Sequence, residues 1–305
     1  MNEISKKTKS IQNLKFKIQN LPIGIFDSGV GGLTVYRALH NRLPNEHFVY
    51  LGDTARVPYG TKSLATVERY AIENSEFLAS RGIKLLVVAC NTASALALPK
   101  IREKIGLDVV GVIGPGARKA VDTTRDKANP RIAVIATEAT VSSNAYAEAI
   151  QRATDKAEVM QTACPLFVPL AEENWTREDE TFSIAKKYLN KIVEFEPDAL
   201  VLGCTHYPIL RQVIQQTVGS SVTLIDSGEA TAEEVKKLLQ EKDLARTEQI
   251  SYNRERRLCD DLDHFYVTDA ADRFARVAER FLGVKPAKLE AIEVFGKDEL
   301  VNRRS

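Results

Sequence analysis

LLVVACNTASA, residues 85–95, has a near copy 114 positions later in LVLGCTHYP, residues 200–208. Each is a continuous apolar run of the kind that forms a strand buried on both faces, and each ends in a small residue, a cysteine and a polar pair. Cys90 and Cys204 therefore stand at strand exits. In open α/β sheets ligands bind outside the carboxyl ends of the strands, so a thiol there can meet a substrate instead of filling a core. A single cysteine at such a place would more simply be a small buried hydrophobe. Two at matching places, followed by Asn91 and Thr92 in one copy and by Thr205 and His206 in the other, point to two related halves that each deliver one thiol.

Working outward, the chain reads as strands alternating with helices, which implies parallel sheets with right-handed crossovers. IGIFD (23–27) runs into a glycine-rich turn with Gly29, Gly31 and Gly32 and then the helix LTVYRALHNRL. A strand over 47–53, the loop TARVPYGTKS, a helix over 64–81, the thiol strand, a helix over 93–105 and the strand DVVGVIG follow. Gly114-Pro115-Gly116 is the clearest break. A second series then opens with RIAVIAT (131–137), in which IAVIATE is offset by 109 from IGIFDSG. It continues through the helix VSSNAYAEAIQRA, the strand EVMQTACP, a loop FVPLAEENW, a helix over 178–195 and the second thiol strand. LIDSGEA opens a helix over 230–241, and the charged segment 245–263 leads to FYVTD and a helix over 270–282. The expected architecture is α/β with two pseudo-symmetric domains, each a mainly parallel sheet flanked by helices, and an active site in the cleft between them. The boundaries read as an N-terminal arm 1–20, a discontinuous first domain 21–116 plus 226–305, and a second domain 117–225.

Composition bounds the function class. The chain has 305 residues, 44% apolar and 27% charged, with a net charge of +1. That is an ordinary globular protein with no electrostatic footprint for nucleic acid or an anionic membrane. Four cysteines without a CxxC pair, none clustered with histidines, argue against a metal site or disulfide framework and suit a reducing cytoplasm. The first twenty residues carry five lysines against one glutamate and no apolar core, so they read as a solvated arm and not a secretory signal. No run approaches the ~18 apolar residues of a membrane span.

The candidate site residues follow from strand-end positions. Asp27 and Ser28 lie in a turn that fits neither the P-loop nor the dinucleotide fingerprint, because Thr34 occupies the place of the third glycine. The turn is either purely structural or faces the cleft beside Cys90. Tyr59 and the Gly60 amide, in VPYGTKS, follow the second strand. Thr137 and Thr140 occupy the second half's counterpart of the Asp27 turn, as helix caps or ligands. His206, two residues past Cys204, can raise its thiolate fraction or relay a proton. Glu172 and Glu173 are surface glutamates by default; Cys164 reads as a packed core thiol and Cys259 as incidental.

Two thiols on facing walls suit removal of a proton α to a carboxylate and its return on the opposite face. Each sulfur must come within ~3 to 3.5 Å of the carbon, so the pair stands on the order of 7 Å apart. That is too far for a disulfide, whose Cβ atoms need about 3.5–4.5 Å. This chemistry needs no cofactor.

IFDSGVGG (25–32), PYG (58–60), ACNTAS (89–94), the T-x-x-T of 137–140, CPLFVPL (164–170) and GCTHYP (203–208) together resemble the cofactor-independent aspartate/glutamate racemases, over about residues 22–285. The THYP form is similar to the glutamate members. The resemblance implies interconversion of L- and D-glutamate, with D-glutamate going to peptidoglycan, and Cys90 and Cys204 as the two bases, the first handling the D and the second the L enantiomer. It implies that Asp27, Glu172 and His206 assist the thiols. Asp27, Ser28, Pro58, Tyr59, Gly60, Asn91, Thr92, Thr137, Thr140, Thr205 and His206 would contact substrate. It also implies a cytoplasmic homodimer, and in some relatives an N-terminal extension that binds a peptidoglycan-precursor activator. A racemase or isomerase acting on aspartate or a related diacid, and a duplicated ligand-binding module without chemistry, remain the alternatives.

Overall fold

The computed structural model describes residue 13, residues 15–247 and residues 256–294. The strands are β1 (Ile23–Asp27), β2 (Phe48–Gly52), β3 (Leu85–Val88), β4 (Asp108–Gly111), β5 (Arg131–Ala136), β6 (Glu158–Ala163), β7 (Ala199–Gly203), β8 (Thr223–Asp226), β9 (His264–Val267) and β10 (Leu289–Ala291). They form two sheets in the orders β10-β9-β2-β1-β3-β4 and β6-β5-β7-β8, and every pairing is parallel. The protein is thus α/β with helices over its sheets, as the alternating pattern requires.

The duplication is visible in the strand order. The β2-β1-β3-β4 run of the first sheet is repeated as β6-β5-β7-β8 in the second. In both, the thiol strand lies beside the strand that opens its half: β3 against β1, β7 against β5. Both thiol strands, LLVV and ALVLG, are fully buried, each Leu or Val side chain contributing about 1.5–3 kcal/mol by leaving water. β9 and β10 extend the first sheet on its β2 edge, so a segment near the C-terminus joins the half that the N-terminal strands build.

Three local expectations are corrected. Gly114-Pro115-Gly116 does not break the chain but lies in the first turn of the helix Ile113–Thr123. Proline is tolerated there because the first N–H groups of a helix have no partner within it. Gly116 supplies close approach, since a Cβ on it would stand 3.2 Å from Cβ of Ser227. The strand-like FVPLAE run, expected as a loop, is the helix Phe167–Glu172, again with proline in its first turn. The helix expected over 141–153 is two, Glu138–Ser142 and Ala145–Ala153, separated at Asn144, whose φ of 55° is left-handed.

Cys259 is not incidental. It is buried, and its N–H donates to the Tyr36 hydroxyl, which donates in turn to Asp263. The N-terminal arm lies mostly outside the described residues; residues 15–18 are exposed, as a solvated arm would be, but its end is attached: Lys15 pairs with Asp243, and the Gln19 amide donates to the Asp243 carbonyl at 3.0 Å. The charged segment falls partly outside the described residues, at 248–255, as does the tail from 295. Among the described residues no helix is long and apolar enough to cross a membrane.

Candidate active site

Both thiols sit where their strands stop. Cys90 follows β3 and caps the helix Asn91–Leu96, its Sγ accepting the Ala93 N–H at 3.5 Å. Cys204 follows β7 directly. They are 5% and 6% exposed, and all four cysteines are free. The two are near enough for charge on Cys204 to oppose charge on Cys90.

Around Cys90 the first half supplies Ser28 and Asp27. The Cys90 thiol donates to Ser28 Oγ at 3.3 Å. Asp27 ends β1, and its Oδ2 accepts the Gly29 N–H at 2.8 Å, while Oδ1 is buried with no hydrogen-bond partner among the described residues. Burial pushes this carboxyl up, and the nearby His206 opposes the rise. Burial, with Asp27 adding to it, pushes the Cys90 thiol up to about 12; the Ser28 hydroxyl and the Ala93 N–H pull the other way.

Around Cys204 runs a chain of groups. Cys204 Sγ lies 3.8 Å from His206 Nδ1, and His206 Nε2 lies 3.1 Å from Glu172 Oε1. Arg273 donates to Glu172 Oε2 at 3.0 Å and Arg280 to the Glu172 carbonyl at 2.7 Å. Burial alone would push the imidazole down, yet its bonds to Cys204 and Glu172 raise it to about 10. A doubly protonated ring can donate to sulfur and carboxylate at once. Burial would raise Glu172, but the His206 bond and charge, with Arg273, hold it below its ordinary range. Glu173 is exposed and faces Arg280 at 3.8 Å, so Glu172 is the glutamate in this chain.

The carboxyl ends of the two sheets meet through side chains of both halves. Thr34 Oγ1 donates to the Thr205 carbonyl at 2.8 Å. Thr92 Oγ1 lies 3.0 Å from Thr137 Oγ1 and 3.3 Å from Thr140 Oγ1. The Tyr146 hydroxyl donates to Asn91 Oδ1 at 2.7 Å, leaving Asn91 Nδ2 buried without a partner among the described residues. Thr137 also caps the helix Glu138–Ser142, accepting the Thr140 N–H, so its capping and its place at the junction coexist. Thr140 is fully buried, its hydroxyl spent on Thr92 and Thr137. Gly60 packs on Thr137, leaving 2.9 Å for a Cβ. Pro58 is exposed, and Tyr59 is buried with its hydroxyl turned away to Asp53.

Among the described residues, the backbone N–H groups of Asn91, Thr92, Thr205 and His206 donate to nothing. Free donors at the starts of two turns, a buried amide and a buried carboxylate oxygen without partners, and two thiols make a site for a small zwitterion with a carboxylate. Sequence reading missed Tyr146, Arg273 and Asp53. Nothing in the sequence could link Tyr146 or Arg273 to its partner, but Asp53 ends a strand as Asp27 does and the same rule could have found it.

His206 sits above its ordinary 6.5, so its contribution to stability is full below that pH and is lost as pH rises through about 10. Glu172→Gln removes one of the two groups that hold the imidazolium. Its alkaline loss of activity and of melting temperature is expected at lower pH than in the parent, with kcat/KM down about 10²-fold. Profiles of kcat against pH in both directions check this; an unmoved alkaline limb would separate Glu172 from the chemistry.

Comparison with known proteins gives the family. The family model for Asp/Glu/hydantoin racemases matches residues 23–235. A glutamate racemase of Geobacter metallireducens is 51% identical over 91% of this chain and 98% of its own length. The crystal structure of the Francisella tularensis glutamate racemase in complex with D-glutamate superposes with a TM-score of 0.80 at 38% identity, covering 90% of this chain and 98% of that one. The Bacillus anthracis glutamate racemase isoform RacE1 gives 0.81 at 35% identity, with the same coverage. Two sheets of one strand order, a thiol at the same exit of each and a family match across both halves lead to one conclusion: the chain belongs to the aspartate/glutamate racemase family and is an amino-acid racemase.

Proposed function

We propose that this racemase interconverts L- and D-glutamate by a two-base mechanism in which Cys90 and Cys204 flank the substrate's α carbon. The observation that carries the reading is the pair of buried free thiols at matching strand exits, each with its own carboxylate nearby: Asp27 on the Cys90 side and, through His206, Glu172 on the Cys204 side. One thiolate takes the α proton, and the C–H electron pair moves into the carboxylate as an enolate. The other thiol gives its proton to the opposite face. Which thiol starts as the base depends on the enantiomer: Cys90 for D-glutamate and Cys204 for L-glutamate.

The enolate carries more negative charge on the carboxylate oxygens than the substrate does. Preorganised N–H donors aimed at those oxygens lower the barrier more than they favour binding. The free amides of Asn91, Thr92, Thr205 and His206 are suited to that task, with Ser28 and the Tyr59–Gly60 turn completing substrate contacts. The protonated His206 stabilises a Cys204 thiolate, as an adjacent cation does for a reactive thiol. D-Glutamate so formed would feed peptidoglycan synthesis.

The expected result of an assay is loss of optical activity from either glutamate enantiomer, with aspartate turned over at least about 10²-fold less efficiently. Aspartate as the better substrate would replace glutamate in this reading. Binding of glutamate without any inversion would make the chain a ligand-binding module.

A further inference from the structure

We infer that Asp53 is a positioning residue for the Tyr59–Gly60 turn, holding its free backbone amides in register with the thiols; this rests on the racemase reading above. Asp53 lies just past β2, and its N–H donates to the Asp27 carbonyl at 3.0 Å, so it stands one strand over from the Cys90 side of the site. Its side chain is fully buried.

Four side chains from three segments converge on that carboxylate. The Tyr59 hydroxyl donates to Oδ2, Asn74 Nδ2 donates to it at 3.0 Å, and Arg56 Nε reaches Oδ2 at 2.7 Å and Oδ1 at 3.0 Å. Thr268 Oγ1, past the end of β9, donates to Oδ1 at 2.9 Å. Asn74 Nδ2 also reaches the Tyr59 hydroxyl at 3.1 Å, and Arg56 pairs with Glu73 and lies over the Tyr70 ring at 4.2 Å. The turn is therefore pinned from below by Asp53 and from the other half by Thr137 against Gly60. The Tyr59 and Gly60 N–H groups, first in that 3₁₀ turn, donate to nothing among the described residues.

A buried ion pair is weak support for stability, because desolvating two charges offsets most of their attraction. It is good support for a fixed geometry: every donor facing Asp53 requires an acceptor, and only an ionised carboxylate offers four lone-pair sites without a hydrogen of its own. An asparagine there would turn an NH₂ group onto the Tyr59, Asn74, Arg56 or Thr268 donors. A turn displaced by a fraction of an ångström would weaken substrate binding while leaving both thiols as they were.

The test is Asp53→Asn and, as a milder variant, Thr268→Val, with KM and kcat for both enantiomers, the dissociation constant of glutamate by calorimetry, and melting temperature. Asp53→Asn is expected to raise KM and the dissociation constant about 10-fold for both enantiomers, equivalent to ~1.4 kcal/mol. Its kcat should stay within about 3-fold and the pH profile of kcat should not move. Thr268→Val is expected to raise both constants about 3-fold. A folded Asp53→Asn protein with parental KM, or one losing kcat at constant KM, overturns the inference. If Asp53→Asn does not fold, unchanged constants in Thr268→Val overturn it. A parent that binds but does not invert glutamate defeats the racemase reading alone, and the calorimetric constants then decide the role of Asp53.

Discussion

Serine in place of Cys90 or of Cys204 is expected to lower racemisation of either enantiomer by at least about 10³-fold while the melting temperature stays near that of the parent. The exchange is nearly isosteric, and neither sulfur holds the fold together: among the described residues Cys90 hydrogen-bonds only with Ser28 and the Ala93 N–H, and Cys204 only with His206. What changes is acidity. A thiol begins near pKa 8.5, and even Cys90, pushed up to about 12 by burial with Asp27 beside it, remains a far better acid than a hydroxyl. In the proposed two-base mechanism each turnover uses one group as base and the other as acid, so losing either stops both directions. The two enantiomers have equal free energy, so kcat/KM must fall by the same factor whichever is the substrate. A single variant with full activity would remove the two-base assignment.

Gly31→Ala is expected to cost about 10²-fold in kcat/KM and 1–3 kcal/mol of stability. Gly31 has no left-handed φ; it is glycine for space. A Cβ built there would stand 2.3 Å from Thr205 Oγ1 and 2.4 Å from the His206 ring. The His206 ring cannot swing away freely, because it is held to Cys204 and Glu172, and the Thr205 backbone is tied to Thr34 through its carbonyl. Relief must come either by pushing His206 off Cys204 or by parting the two halves. Circular dichroism separates a folded, impaired enzyme from a misfolded one; parental activity in Gly31→Ala would show that the halves do not close on this glycine.

Gly31 also shows how far the sequence could be read. The run IFDSGVGG was legible as a strand, a tight turn and a helix, and the period of the apolar residues placed Asp27 and both cysteines at carboxyl ends. The reason for the second glycine lies in the other half of the molecule, 174 positions on at Thr205. No local pattern encodes such a contact. Glu172 illustrates the same boundary: its neighbour is chemically identical, and only the helix Phe167–Glu172 and the cations Arg273 and Arg280 decide which carboxylate meets His206. The break expected at Gly114-Pro115-Gly116 fails because the first turn of a helix accepts proline and glycine without losing a hydrogen bond, and Pro169 sits in the same turn of the helix Phe167–Glu172. Cys259 looked incidental because charge surrounds it in the sequence, yet those charges, Arg256 and Asp263, are themselves paired and nearly buried.

The claim that two thiols work from opposite faces is tested most directly by following glutamate inversion in D₂O. A thiol carries a single exchangeable hydrogen, so the acid that completes inversion brings solvent deuterium to the product. The proton taken by the facing base does not return to the substrate pool. At early times the product enantiomer is expected to carry deuterium at Cα while recovered substrate keeps its hydrogen, in both directions. Deuterium entering the recovered substrate as fast as the product, or inversion that carries the original hydrogen across, would contradict it.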